Sequence, residues 1–158
     1  MLVYAACVLA ARYSDSFRCA VSLYGDGHLR VTSQDSRSET DILLSFRTSQ
    51  STSLLLLAAG TNDFCAVTLD SGAVTARIDL GSGEASVVTR PGLVFNDLQW
   101  HSVRLRRIQA TLTLTVDGMY VTNAVTPGNF FEVCSISAQR SEARHLLSEC
   151  LSVCLSHL

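Results

Sequence analysis

The chain has 158 residues, 47% hydrophobic and 16% charged, with a formal net charge of −2. That length allows one domain with a buried core. The composition excludes a disordered chain, a collagen-like repeat and a coiled coil, and the near-neutral charge excludes bulk attraction to nucleic acid or anionic lipid.

The longest apolar run is Met1 to Ala11, MLVYAACVLAA. It falls short of the roughly 20 residues a membrane-spanning helix needs, so no transmembrane segment is expected in this chain. It fits the roughly 7–15 residues of a signal-peptide core, although a basic flank is missing. Residues 1–20 therefore read either as a secretory leader or as the start of a buried first strand.

From residue 40 to residue 123 the pattern is period two, which marks strands with one buried face. Ile42, Leu44 and Phe46 form one inward set. Leu54 to Ala59 is a continuous apolar run, expected to be buried on both sides or to lie at an edge of the core. Phe64 to Leu69 forms the next strand. Val74, Ala76, Ile78 and Leu80 alternate with Thr75, Arg77 and Asp79. Val103 and Leu105 point inward between Ser102, Arg104 and Arg106, and Arg107 is expected at the bend that follows. Leu112, Leu114 and Val116 alternate with threonines and run into Asp117-Gly118, a dipeptide suited to a hairpin turn with two positive φ angles.

Ser71-Gly72, Gly81-Ser82-Gly83, Pro91-Gly92 and Pro127-Gly128 punctuate the strands as further turns. The fold class is all-β, an antiparallel sandwich or barrel. After Val133 the pattern changes. Leu146, Leu147, Cys150, Leu151, Val153 and Cys154 recur at helical spacing, so residues 133–158 read as a divergent, helical tail.

The six cysteines stand at 7, 19, 65, 134, 150 and 154 without a CxxC pair, which argues against a zinc ribbon or a thioredoxin-type motif. Cys65 reads as a buried, inert thiol. Cys150, Cys154 and His157 fall near one helical face, a weak metal pattern that hydrophobic packing explains better. None of Asn62, Asn96, Asn123 and Asn129 has Ser or Thr two residues on, so none is an N-glycosylation site. Ser71-Gly72 and Ser82-Gly83 have the form of glycosaminoglycan attachment dipeptides, but hairpin turns account for both.

The ordered series Asp41–Thr48, Leu54–Gly60, Asp63-Phe64, Leu69–Gly72, Ile78–Gly83, Asn96–Val103 and Leu112–Gly118 resembles the laminin G-like (LNS) domain from about Ser22 to Glu132. The resemblance implies a jelly-roll β-sandwich over residues 21–132. It ends before the family's closing strands, which implies a sandwich incomplete at its carboxyl end, as in a truncated or alternatively spliced product. It also implies a calcium ion at the sandwich rim, with Asp63 as the acidic ligand and the Leu80 carbonyl as a backbone ligand. Such a mixed oxygen set suits a weak extracellular calcium site.

Family members bind sulfated glycans and glycoproteins through basic residues. The corresponding candidates are Arg77, Arg104, Arg106 and Arg107, although a solvated face paired with Asp79 and Asp117 explains the same arginines. The resemblance makes Trp100 a core residue. His101 shares the parity of the buried set, with no carboxylate evident to orient it for catalysis. The function implied is non-catalytic recognition of extracellular matrix proteins or sulfated glycans at the cell surface, with any membrane attachment through a parent protein. Two alternatives stand beside it, a non-functional fragment and a glycan-acting enzyme on a concanavalin-like sandwich. The enzyme would need two carboxylates facing a groove, about 5–9.5 Å apart, and the inward positions supply none.

Overall fold

The structure, a computed structural model, describes residues 39–59, 63–127 and 135–136. Nine strands are seen there: β1 (Glu39–Phe46), β2 (Ser53–Ala59), β3 (Phe64–Asp70), β4 (Ala73–Asp79), β5 (Glu84–Val88), β6 (His101–Ile108), β7 (Thr111–Val116), β8 (Tyr120–Val125) and β9 (Ser135–Ile136). They form a four-stranded sheet in the order β1-β6-β7-β8 and a five-stranded sheet in the order β5-β4-β3-β2-β9. Every pairing is antiparallel. No helix occurs among the described residues.

The alternation of the sequence sets the register. Ile42, Leu44 and Phe46 of β1 are buried beside Val103 and Leu105 of β6 and Leu112, Leu114 and Val116 of β7. The opposing sheet contributes Cys65, Val67 and Leu69 of β3 with Val74, Ala76 and Ile78 of β4. A one-residue slip in any of these strands would turn its whole apolar set to water. Each fully buried Leu, Val or Phe contributes about 1.5–3 kcal/mol of transfer free energy, so this interior dominates the stability.

The Leu54–Ala59 run is not buried on both sides. β2 and β3 change register between Leu54 and Leu56, and beyond that irregularity only Leu56 and Ala58 enter the core, while Leu54 is exposed. A bulge of this kind re-aims the side chains of a strand, which a uniform leucine run does not reveal. The start of the tail also differs from its reading. Ser135 and Ile136 pair with Ala59 and Ala58 of β2 and extend the five-stranded sheet. The rest of the expected helical tail and the expected leader lie outside the described residues.

Tight turns place the loops at two opposite ends of the sandwich. Ser71 (φ 50°) and Gly72 (φ 83°) join β3 to β4, and Asp117 (φ 53°) and Gly118 (φ 69°) join β7 to β8, each with the paired positive φ of a hairpin turn. Gly72 is also a junction. Its N–H donates to the Ser51 carbonyl at 2.8 Å, and its carbonyl accepts from Phe95 N–H at 2.8 Å. That second bond ties the 89–100 loop to this end, which therefore holds the turn at 71–72 together with the start of β6. The other end holds Asp63, the 80–83 turn and Pro127, with Pro127 in van der Waals reach of Gly83.

Candidate functional site

At the Asp63 end, β3 and β4 pair Phe64 with Asp79, so Asp63 and the turn after Asp79 are brought side by side. A Cβ built on Gly81 would lie 3.4 Å from Asp63 Oδ1, and Gly81 has φ +81°. The two residues expected to share a cation, Asp63 and Leu80, therefore belong to one rim. Leu80 packs its side chain on the core. Asp79 is engaged differently, because its Oδ1 accepts Gly81 N–H at 2.9 Å and Gly83 N–H at 3.3 Å and so caps the turn. Asp63 receives no hydrogen bond among the described residues, where no cluster of three His, Cys, Asp or Glu side chains is found.

The four candidate arginines do not form one patch. Arg77 stands on the outer face of the five-stranded sheet, opposite Ser86 and Ala66, whereas Arg104 and Arg106 stand on the outer face of the other sheet. Arg104 grips Asp41 with two nitrogens, Nε donating to Oδ1 at 2.8 Å, and this pairing raises its pKa further. Asp41 faces Arg106 directly across the strands, yet its carboxylate is drawn diagonally to Arg104. Arg106 and Arg77 make no hydrogen bond or ion pair among the described residues. Neither Asp79 nor Asp117 pairs with any of these arginines, since each is engaged at its own turn.

Arg107 corrects the reading that placed it at a bend. It lies within β6 with its side chain turned inward, only 1% exposed. Burial lowers its pKa, opposed by the nearby Cys65 thiol. Its guanidinium donates to the Gln109 carbonyl and to Thr40 Oγ1, both at 3.2 Å. Two consecutive arginines in a strand must point to opposite faces, and that parity was legible in the sequence. Arg107 cannot meet a partner on the surface.

The fold has known counterparts. A profile of the laminin G domain matches residues 46–141. The chain belongs to the laminin G domain family. Chondroitin sulfate proteoglycan 4 of Rattus norvegicus is 39% identical over 106 residues, which is 67% of this chain and 5% of that protein. Among solved structures, domains LG4-5 of the mouse laminin alpha1 chain match with a TM-score of 0.63 and 26% identity, over 76% of this chain and 34% of that one. The LG1-3 region of the laminin alpha2 chain matches with a TM-score of 0.62 and 27% identity, over 79% and 27% of the two chains. This laminin G domain thus spans a small part of the proteins it resembles.

Two further residues of the laminin G domain depart from their readings, Trp100 in its place and His101 in its neighbours. Trp100 is 47% exposed rather than in the core, with the Arg47 guanidinium over its ring at 5.5 Å. His101 is flanked by two carboxylates, Asp117 Oδ2 at 2.8 Å from Nδ1 and Asp97 Oδ1 at 3.0 Å from Nε2. Asp117 belongs to the β7–β8 turn and Asp97 to a loop, so neither proximity was visible in the alternation of β6. Cys65, read as a buried and inert thiol, is indeed buried, in β3 of the opposite sheet.

Proposed function

We propose that this laminin G domain is a non-catalytic recognition module of an extracellular or cell-surface protein, binding matrix proteins or sulfated glycans. The observation that carries the reading is the distribution of charge. The interior between the sheets is apolar, the buried polar side chains among the described residues are three threonines and Arg107, and the carboxylates lie at the rims and on the outer faces. Chemistry can therefore be presented to a partner on the surface and at the loops, as suits a rigid sandwich. Arg106 and Arg77 offer guanidinium groups that no carboxylate engages among the described residues, and guanidinium matches sulfate geometry. No helix among the described residues is long and apolar enough to cross a membrane.

We further propose that the rim at Asp63 holds a calcium ion. The Asp63 carboxylate and the Leu80 carbonyl would supply two of the several oxygens calcium needs, with affinity in the weak extracellular range. Calcium there would brace the loop end and contribute positive charge toward an anionic partner.

Immobilised heparin, as a sulfated glycan probe, tests the recognition reading. The wild-type chain is expected to bind with an affinity that falls as salt rises. Arg77→Ala with Arg106→Ala should weaken binding several-fold, and Arg104→Ala should weaken it less, because Asp41 already holds that side chain. Binding unchanged in the double variant would refute the assignment to these arginines.

A further inference from the structure

His101 sits at the end of the sandwich opposite Asp63, with its side chain 11% exposed and each ring nitrogen against a carboxylate oxygen. A neutral imidazole has one N–H and one lone pair, and an ionised carboxylate only accepts. Both contacts are hydrogen bonds only when the ring is an imidazolium. In the neutral ring one nitrogen would oppose lone pair to lone pair.

The two arms differ in how firmly they are built. Asp117 is the shorter contact, is 24% exposed, and its Oδ1 also accepts the Ser102 N–H at 2.7 Å. Asp97 is 48% exposed, and its Oδ1 already accepts the Gln99 N–H at 2.8 Å, so it keeps a partner if it leaves the ring. We propose that His101 is a proton-operated clasp: as an imidazolium it ties Asp97 of the 89–100 loop to Asp117 of the β7–β8 turn, and on losing its proton it keeps Asp117 and releases Asp97.

The loop is built to respond. Leu98 is a non-glycine residue at φ +64°, a strained conformation that persists only where neighbours impose it. Its N–H donates to the Thr48 carbonyl at 3.1 Å. Val94, Leu98 and Trp100 are exposed along this loop. Releasing Asp97 removes one of the restraints on that conformation and so loosens the surface these side chains form.

The surroundings leave the two carboxylates in control. Phe46 of β1 and Phe95 of the loop contact the ring at 5.7 and 5.1 Å between centroids and bring no charge. Tyr120 of β8 reaches Phe95, not the ring, at 5.8 Å, and Arg47 lies over Trp100. Burial disfavours the charged ring, but the hydrogen bonds to Asp117 and Asp97 outweigh it, which holds the His101 pKa above 6.5.

Trp100 is the chain's single tryptophan and the neighbour of His101, so its emission reads the clasp in the full chain. Titration from about pH 5 to about pH 9 is expected to give a transition above pH 6.5, accompanied by faster exchange of the Leu98 amide on the alkaline side after correction for intrinsic rate. His101→Gln should abolish the transition. Asp97→Asn, which leaves the Asp117 arm and the fold in place, should move it to lower pH. A transition that persists in His101→Gln, one unmoved in Asp97→Asn, or Leu98 exchange indifferent to pH in the wild type would each overturn the clasp.

Discussion

At one end of the sandwich the polar groups answer one another. Gly72 links Ser51 to Phe95, Leu98 N–H reaches Thr48, Asp117 holds Ser102, and His101 spans Asp97 and Asp117. At the other end Asp79 closes its own turn, while Asp63 stands beside Gly81 with no donor of the described residues upon it. The contrast separates structural carboxylates from an available one. A carboxylate saturated by backbone N–H groups and a histidine has little left for a ligand, whereas an acceptor beside an open turn can take part in coordination.

Substitutions break this comparison in graded ways. The largest effect is expected in the interior that both ends share. Leu114→Ala, at a fully buried position in the centre of β7, should destabilise by about 2–5 kcal/mol in chemical denaturation. Next comes the junction of the closed end. Gly72→Ala would place a Cβ 2.6 Å from Asn96 Oδ1 and 3.1 Å from Val94 Cγ1 at a φ of +83°. It should cost about 1–3 kcal/mol, with faster amide exchange in the 89–100 loop. Gly92→Ala shares the positive φ but meets nothing within 4 Å, so it should cost less.

Acidity sharpens the same contrast. The His101 pKa is raised in the folded chain, so its contribution is fully present below 6.5 and is lost as pH rises through the folded value. The Asp97 pKa is lowered from 3.8, by the Gln99 N–H first and the His101 hydrogen bond second, so its contribution is present above 3.8 and is lost as pH falls through the folded value. The clasp is therefore tightest between these limits. Thermal melts carried from that range to higher pH should show a fall in Tm as pH rises through the folded His101 value, a fall that His101→Gln flattens. The smallest effect belongs to Arg104→Gln, which removes an exposed ion pair and should leave the melt almost unchanged.

The alternation legible in the sequence carried most of the fold, because the period-two pattern of residues 74–80, 101–106 and 112–116 states which side chains face the core. The two-residue turns at Ser71-Gly72 and Asp117-Gly118 were equally legible, since their residue types tolerate positive φ. The leucine run of β2 was not, because a bulge leaves no trace in a stretch of like residues. Asp63 and the turn at Leu80-Gly81 lie side by side because β3 and β4 form a hairpin whose register carries them together. The flanking of His101 is not legible in the sequence, for the opposite reason. It depends on a loop and a turn that meet through tertiary folding, and no spacing within β6 announces them.

The most direct test of the difference between the two ends is a thermal melt of the full chain with and without millimolar calcium, repeated on Asp63→Ala and Asp117→Asn. A site at the open end predicts that calcium raises Tm in the wild type and in Asp117→Asn but not in Asp63→Ala. A Tm indifferent to calcium in the wild type, or a rise that survives in Asp63→Ala, would contradict it.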